Sequence, residues 1–189
     1  MKIAVIGGIG SGKSTALKIF NKNKYETYEA DEINRTTIQR HDVQDKLKQE
    51  FPEAFVDGVL NKLKLRDCIF NSKEAHNKAI NIITQETKNE ILKIIKTNIG
   101  DLVLEMPLID QTILVQFDYI ICIEASEEFR LKFLQARGID SDIAKKIMSF
   151  QPTSDEYKTN ANQVIYNTED TNALENKIEE FILSIASNR

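Results

Sequence analysis

Apolar positions follow two rhythms along this chain. Five short segments, Lys2 to Ile6, Tyr25 to Ala30, Asp101 to Met106, Phe117 to Glu124 and Gln163 to Tyr166, read as strands, and several are near-continuous apolar runs of the kind buried on both faces. Between them the apolar spacing lengthens to three and four residues, the period of helices. Strands that alternate with helices imply an α/β fold: a parallel sheet with right-handed crossovers, whose ligands collect at the carboxyl ends of the strands.

From Glu32 to Gly100 the pattern offers no strand and reads as an all-helical insert, with helices over 32–40, 43–50, 60–70 and 73–98. Ser72 is placed to cap the last of these, Ile80, Ile83, Ile91, Ile94 and Ile95 form its apolar stripe, and Gly100 follows its end. That helix is long for a globular protein and leaves room for a break. Phe51, Phe55 and Phe70 are expected in the core of the insert. After the fourth strand, Ser126 opens a helix reaching about Arg137, Gly138 ends it, and a second helix runs from Ser141 to Phe150 before Pro152. The final helix, Asn172 to Ala186, carries Leu174, Ile178, Phe181, Ile182 and Ile185 on one face and is expected to cover the sheet.

Composition narrows the function classes. The 189 residues are enough for one full core with a small appended subdomain. A net charge of -4 gives no electrostatic footprint for nucleic acid. Apolar segments such as Tyr119 to Ile123 are far too short to cross a membrane, and no basic leader precedes the first strand, so a cytoplasmic protein is expected. Cys68 and Cys122 lack metal-type spacing, and His41 and His76 sit in polar helical stretches as surface residues.

One motif carries the chemistry. Directly after Ile3-Ala4-Val5-Ile6, the stretch from Gly7 to Thr15 fits G-x-x-x-x-G-K-[ST]. Gly7, Gly8, Gly10 and Gly12, out of seven glycines in the chain, let the backbone turn so that several N–H groups can meet one phosphate cluster. Gly8, Gly10, Ser11, Gly12, Lys13, Ser14 and Thr15 are therefore the candidate nucleotide-binding residues. Lys13 adds a mobile cation, and the Ser14 hydroxyl can join a Mg2+ shell. A guanine-specific switch is disfavoured, because no Asn-Lys-x-Asp element occurs. The second strand leads into Asp31, placed to act as a general base near an acceptor hydroxyl or, more simply, to cap the next helix.

With these residues in view, the sequence resembles dephospho-coenzyme A kinases over most of its length. The resemblance rests on the Gly7 to Thr15 loop, on Ala30-Asp31 with Arg35, on Asp57-Gly58-Val59-Leu60 leading to Leu65-Arg66-Asp67, on Pro107-Leu108-Ile109, and on Val164-Ile165-Tyr166-Asn167. It implies a three-layer α/β/α phosphate-loop kinase with a five-stranded parallel sheet. The nucleotide-binding core would comprise 1–31, 101–125 and 159–189, the acceptor-binding insert 32–100, and a helical lid 126–158. It further implies ATP and Mg2+ as the donor pair, dephospho-CoA as acceptor, Asp31 as base, and Arg35 and Arg66 on the acceptor side. Arg137 would reach the transferring phosphate from the lid and Asn167 would meet the nucleotide. Small molecules are then the expected partners, with no nucleic acid or membrane, and a monomer is the expected state.

Departures from the family pattern are specific. Asn81-Ile82 stands where His-Pro is usual, Phe133 and Ile147 occupy lid positions where arginine is common, and Asp110 falls one position early for an expected acid. Arg130 and Arg137 remain in the lid, and Glu105 ends the third strand where an acid often holds magnesium through water. Two competing readings stay open: a kinase for a nucleotide or another small hydroxyl compound, and an ATP-binding module without catalysis.

Overall fold

The computed structural model describes residues 1–168 and 171–187; residues 169–170 and 188–189, inside the expected core segment 159–189, lie outside the described residues. Two compact units emerge, one formed by residues 1–29 and 97–189 and the other by residues 30–96.

In the first unit, β1 (Lys2–Ile6), β2 (Glu26–Glu29), β5 (Leu102–Met106), β6 (Tyr119–Glu124) and β7 (Gln163–Tyr166) form one sheet in the order β2-β5-β1-β6-β7. Every pairing is parallel. The two most apolar strands sit inside: β1 from Ile3 to Ile6 and all of β5 are buried on both faces, which explains their lack of alternation. On one face α1 (Lys13–Lys22) and α10 (Thr171–Ala186) cover Ile3, Val5, Val103, Ile121 and Ile123 with Phe20, Leu174, Ile178, Phe181 and Ile185. Edge-to-face ring pairs of Phe20 with Tyr25 and Phe181, and of Tyr119 with Phe181, fix how these helices seat. The opposite face buries Ala4, Ile6, Leu104 and Cys122, with α9 (Ser154–Thr159) packed on β6.

The remaining helices of this unit are α6 (Gln111–Leu114), α7 (Glu127–Ala136) and α8 (Ser141–Ser149). The Ser126 hydroxyl caps α7 by accepting from the Phe129 N–H at 3.2 Å. Its end is set by Gly138 at φ 81°, with Ile139 N–H bonded to Leu134 C=O and Gly138 N–H to Gln135 C=O, the paired bonds of a Schellman stop. Pro152 ends the helical run less completely than the sequence suggests. Thr153 and Glu156 close a capping box that opens α9.

The second unit contains α2 (Ala30–Thr37), α3 (His41–Glu50), a 3-10 turn at Pro52–Ala54, β3 (Phe55–Val56), β4 (Val59–Leu60), α4 (Lys62–Asn71) and most of α5 (Lys73–Thr97). It is not all-helical as expected: β3 and β4 pair antiparallel around Asp57-Gly58, both at positive φ. Asp-Gly is a strong two-residue hairpin signal, but strands of two residues each are too short to register as periodicity. Val43, Leu47, Phe51, Ala54, Leu65 and Ala79 form its core. Two core expectations are corrected. Phe70 is exposed, and so is Ile80; the buried neighbour is Ala79, so the inward face of α5 is rotated by one residue there. α5 is continuous over 25 residues, without a break. Opposite charges brace it from outside, with Arg40 bonded to Glu90 at 2.6 Å and Lys46 to the buried Glu86.

Candidate active site

The loop between β1 and α1 begins where the central strand ends, and its shape depends on residues without a side chain. Gly7, Gly10 and Gly12 have φ of 143°, 78° and 108°. A Cβ on Gly7 would lie 2.4 Å from the Ile123 carbonyl oxygen, and one on Gly12 would lie 2.5 Å from the Asn167 side-chain nitrogen. The loop backbone bonds to itself once, from Ser11 N–H to Gly8 C=O at 3.2 Å. Among the described residues no hydrogen-bond partner meets the N–H groups of Gly10, Gly12, Lys13, Ser14 or Thr15. Those donors crown the N-terminus of α1, where the helix dipole adds positive potential, and together they suit a polyphosphate.

Lys13 is buried below them. Its Nζ lies 3.1 Å from the Gly8 carbonyl oxygen and 3.2 Å from Glu105 Oε1, the latter supplied by neighbouring β5. Ser11 is 1% exposed, and its buried hydroxyl has no hydrogen-bond partner among the described residues. Ser14, one residue past the lysine, is exposed in the first turn of α1. No group of three His, Cys, Asp or Glu side chains among the described residues could hold a metal. A magnesium ion bound together with a polyphosphate would need none, since one protein oxygen beside phosphate and water is enough, and the accessible Ser14 hydroxyl could supply it.

Three side chains grip the loop from outside. Asn167, after β7, donates its side-chain N–H to Ser11 C=O at 2.9 Å while its backbone N–H bonds to Glu124 C=O at 2.7 Å. Arg130 of α7 donates Nε–H to Ile9 C=O at 2.7 Å, and Gln151 accepts the Ile9 N–H at 2.7 Å. Gln151 was not among the expected site residues, and Arg137, not Arg130, was the arginine expected to reach the site from the lid. A side chain that serves a loop more than a hundred residues away leaves no local pattern.

A protein-family model described as dephospho-CoA kinase matches residues 1–173. The chain belongs to the dephospho-CoA kinase family. A Fusobacterium nucleatum dephospho-CoA kinase is 28% identical, with 98% of each chain covered, and a Streptococcus pyogenes one is 30% identical over the whole of both. Among solved structures, a Thermus thermophilus protein superposes with a TM-score of 0.79 at 24% identity, covering 97% of each chain. A dephospho-CoA kinase from Campylobacter jejuni gives 0.66 at 23%, covering 97% of this chain and 96% of its own. At these identities the structural matches show the shared fold alone, an α/β architecture on a five-stranded parallel sheet.

The other residues expected of a dephospho-CoA kinase are distributed as follows. Arg137 is exposed at the end of α7, its guanidinium 5.7 Å from the centre of the Phe133 ring. Asp110 caps α6 by accepting from Thr112 N–H at 2.9 Å. In the second unit, Asp31 lies in the first turn of α2, just past the end of β2 along the chain, and is exposed. Arg35, one turn on, pairs with Glu32. Arg66 is exposed on α4, 3.9 Å from Asp67.

Cys122 and Tyr157 are two buried titratable side chains of the first unit. Burial, with Glu124 adding a smaller push, raises the Cys122 thiol to about 12, so it is an inert part of the core. Burial also raises the Tyr157 phenol, whose O–H donates to the Pro107 carbonyl just past β5. Among the described residues no helix is long and apolar enough to cross a membrane.

Proposed function

We propose that the protein transfers the γ-phosphoryl group of ATP to the ribose 3′-hydroxyl of dephospho-CoA, giving coenzyme A and ADP. The observation that carries this is the cradle of free loop amides around a buried lysine, in a chain whose match to the dephospho-CoA kinase family runs over residues 1–173.

In this reading the amides of Gly10, Gly12, Lys13, Ser14 and Thr15 hold the β- and γ-phosphates, and Lys13 places its charge where negative charge accumulates during transfer. Ser14 is the protein oxygen for magnesium, which when bound neutralises charge on the phosphates. The acceptor oxygen bonds to the γ-phosphorus, the bond from that phosphorus to the β–γ bridging oxygen breaks, and Asp31 takes the hydroxyl proton. Arg35 and Arg66 bind the anionic acceptor, Arg137 meets the transferring phosphate, and Asn167 keeps the loop in place beside the nucleotide.

The test is a steady-state assay of the purified protein with Mg-ATP across acceptors. Dephospho-CoA is expected to exceed nucleoside monophosphates and other small alcohols in kcat/KM by at least about 10²-fold, the discrimination a hydrogen-bonding site readily supplies. Equal turnover of a nucleoside monophosphate would replace this acceptor. ATP binding without transfer to any acceptor would make the chain a non-catalytic nucleotide-binding module.

A further inference from the structure

Ile9 is held at both of its own backbone groups by side chains from different segments. Its N–H donates to Gln151 Oε1, and its C=O accepts from Arg130 Nε, each at 2.7 Å. The Ile9 N–H is thereby removed from the set available to phosphate, and the loop divides in two. Residues 8 and 9 face α7 and Gln151, while the N–H groups from Gly10 to Thr15, apart from Ser11, stay free.

Arg130 is built into the loop instead of lying across it. A Cβ added to Gly8 would fall 2.5 to 2.8 Å from its guanidinium atoms, and one on Gly10 would fall 3.0 Å from its backbone oxygen. These two glycines therefore make room for α7 as well as for a ligand. The side chain is half-buried, whereas Arg137 is exposed. Its bond to Ile9 is charge-assisted, the stronger class of hydrogen bond. A glycine-rich loop left to itself samples many backbone states, and ordering it would subtract from nucleotide affinity.

We propose that Arg130 and Gln151 act as a two-sided clip on Ile9 that holds the phosphate loop in the shape its free amides need, making both of them positioning residues for the nucleotide donor. The inference rests on ATP being that donor. Neither side chain has to touch the reacting atoms. Each fixes one of the two peptide planes that meet at Ile9, and the Asn167 bond to Ser11 C=O anchors the other end of the same loop.

The experiment measures Mg-ADP binding to the full chain by calorimetry for wild type, Gln151→Met, Arg130→Met, the double variant and Arg130→Lys. Melting temperatures and the KM values of both substrates are taken in parallel. Each Met variant is expected to weaken ADP about 10-fold, the effect of one hydrogen bond with a charged or buried partner. KM for ATP should rise in proportion, while KM for dephospho-CoA and the melting temperature stay near wild type. The double variant should lose little more than the worse single, because both side chains restrain one residue. Arg130→Lys, which keeps a cationic donor, should recover part of the loss. Unchanged ADP affinity, fully multiplicative losses, or an affinity loss that follows a fall in melting temperature would each overturn the clip. Because ADP binding involves no acceptor, a wild-type protein that fails to phosphorylate dephospho-CoA would defeat the functional reading and leave this result standing on its own.

Discussion

The Lys13 ammonium sits 3.2 Å from a Glu105 carboxylate oxygen, with the two side chains only 8% and 10% exposed. The pairing follows from strand register: β1 and β5 are adjacent and parallel, so the acid near the end of β5 reaches the lysine that follows the loop after β1. In the proposed mechanism the lysine that serves phosphate is thereby held in place before any nucleotide arrives. Glu105→Gln is expected to destabilise the free protein by about 3–5 kcal/mol, the usual result of removing one partner of a buried ion pair. A bound polyphosphate supplies replacement negative charge, so saturating Mg-ADP should return part of the loss. Thermal melts with and without nucleotide check this. A deficit of the same size in both would show that phosphate does not take over from the carboxylate.

Gly8 and Arg130 make a second testable pair. The φ of Gly8 lies outside the left-handed region that strains an L side chain, so the obstacle to alanine there is the guanidinium within 2.5 to 2.8 Å of the new methyl group. Gly8→Ala should push Arg130 away from Ile9 and weaken ADP binding about 10-fold, the same loss as truncating the arginine. In an Arg130→Ala background the three atoms nearest the methyl group are gone, and Gly8→Ala should then cost much less. Full additivity in this double-mutant cycle would place the harm of the methyl group elsewhere in the loop.

The parts of this fold visible in the sequence are those governed by local rules. The inner strands β1 and β5 show as apolar runs because both faces are covered, the loop shows because glycines and Lys13 must keep a fixed spacing, and α10 shows because Leu174, Ile178, Phe181 and Ile185 repeat with the helix. The β3–β4 hairpin escaped because it is too short to show a period, although Asp57-Gly58 marked its turn. Phe70 misled because apolar character predicts burial only on average, and the outward side of α4 carries it. Among the site residues, Lys13 and its loop could be read directly. The grip of Arg130, Gln151 and Asn167 could not, since each contact depends on how distant segments pack.

Asp31 bears the chemical step in the proposed mechanism, and its replacement separates binding from transfer. Asn keeps the size and the helix-starting character of the side chain but cannot take a proton. Asp31→Asn is expected to lower kcat by about 10²–10⁴-fold, the range for loss of a general base. ADP affinity should be unchanged, because the free amides and Lys13 belong to the loop after β1. Turnover close to wild type would move the base to another residue. Loss of ADP binding would instead give Asp31 a part in holding the nucleotide.

The acid sensitivity of α9 can be argued from its cap. Glu156 accepts the Thr153 N–H at 2.7 Å, and the Thr153 hydroxyl accepts the Glu156 N–H at 3.3 Å. The backbone bond first, and the Thr153 hydroxyl second, hold the Glu156 carboxyl below its ordinary value of 4.5. A carboxyl whose pKa is lower in the folded than in the unfolded chain contributes stability that is complete above the unfolded value and is lost as pH falls through the folded one. Glu156→Gln keeps an acceptor oxygen but never carries charge, so it resembles the protonated wild type. Urea melts should therefore show the variant less stable at neutral pH, with the gap closing as pH drops below 4.5. Because the neighbouring Tyr157 donates to Pro107, weakening α9 also loosens the segment just past β5. A gap of constant size from pH 7 to pH 3 would mean that the charge on Glu156 contributes nothing to the cap.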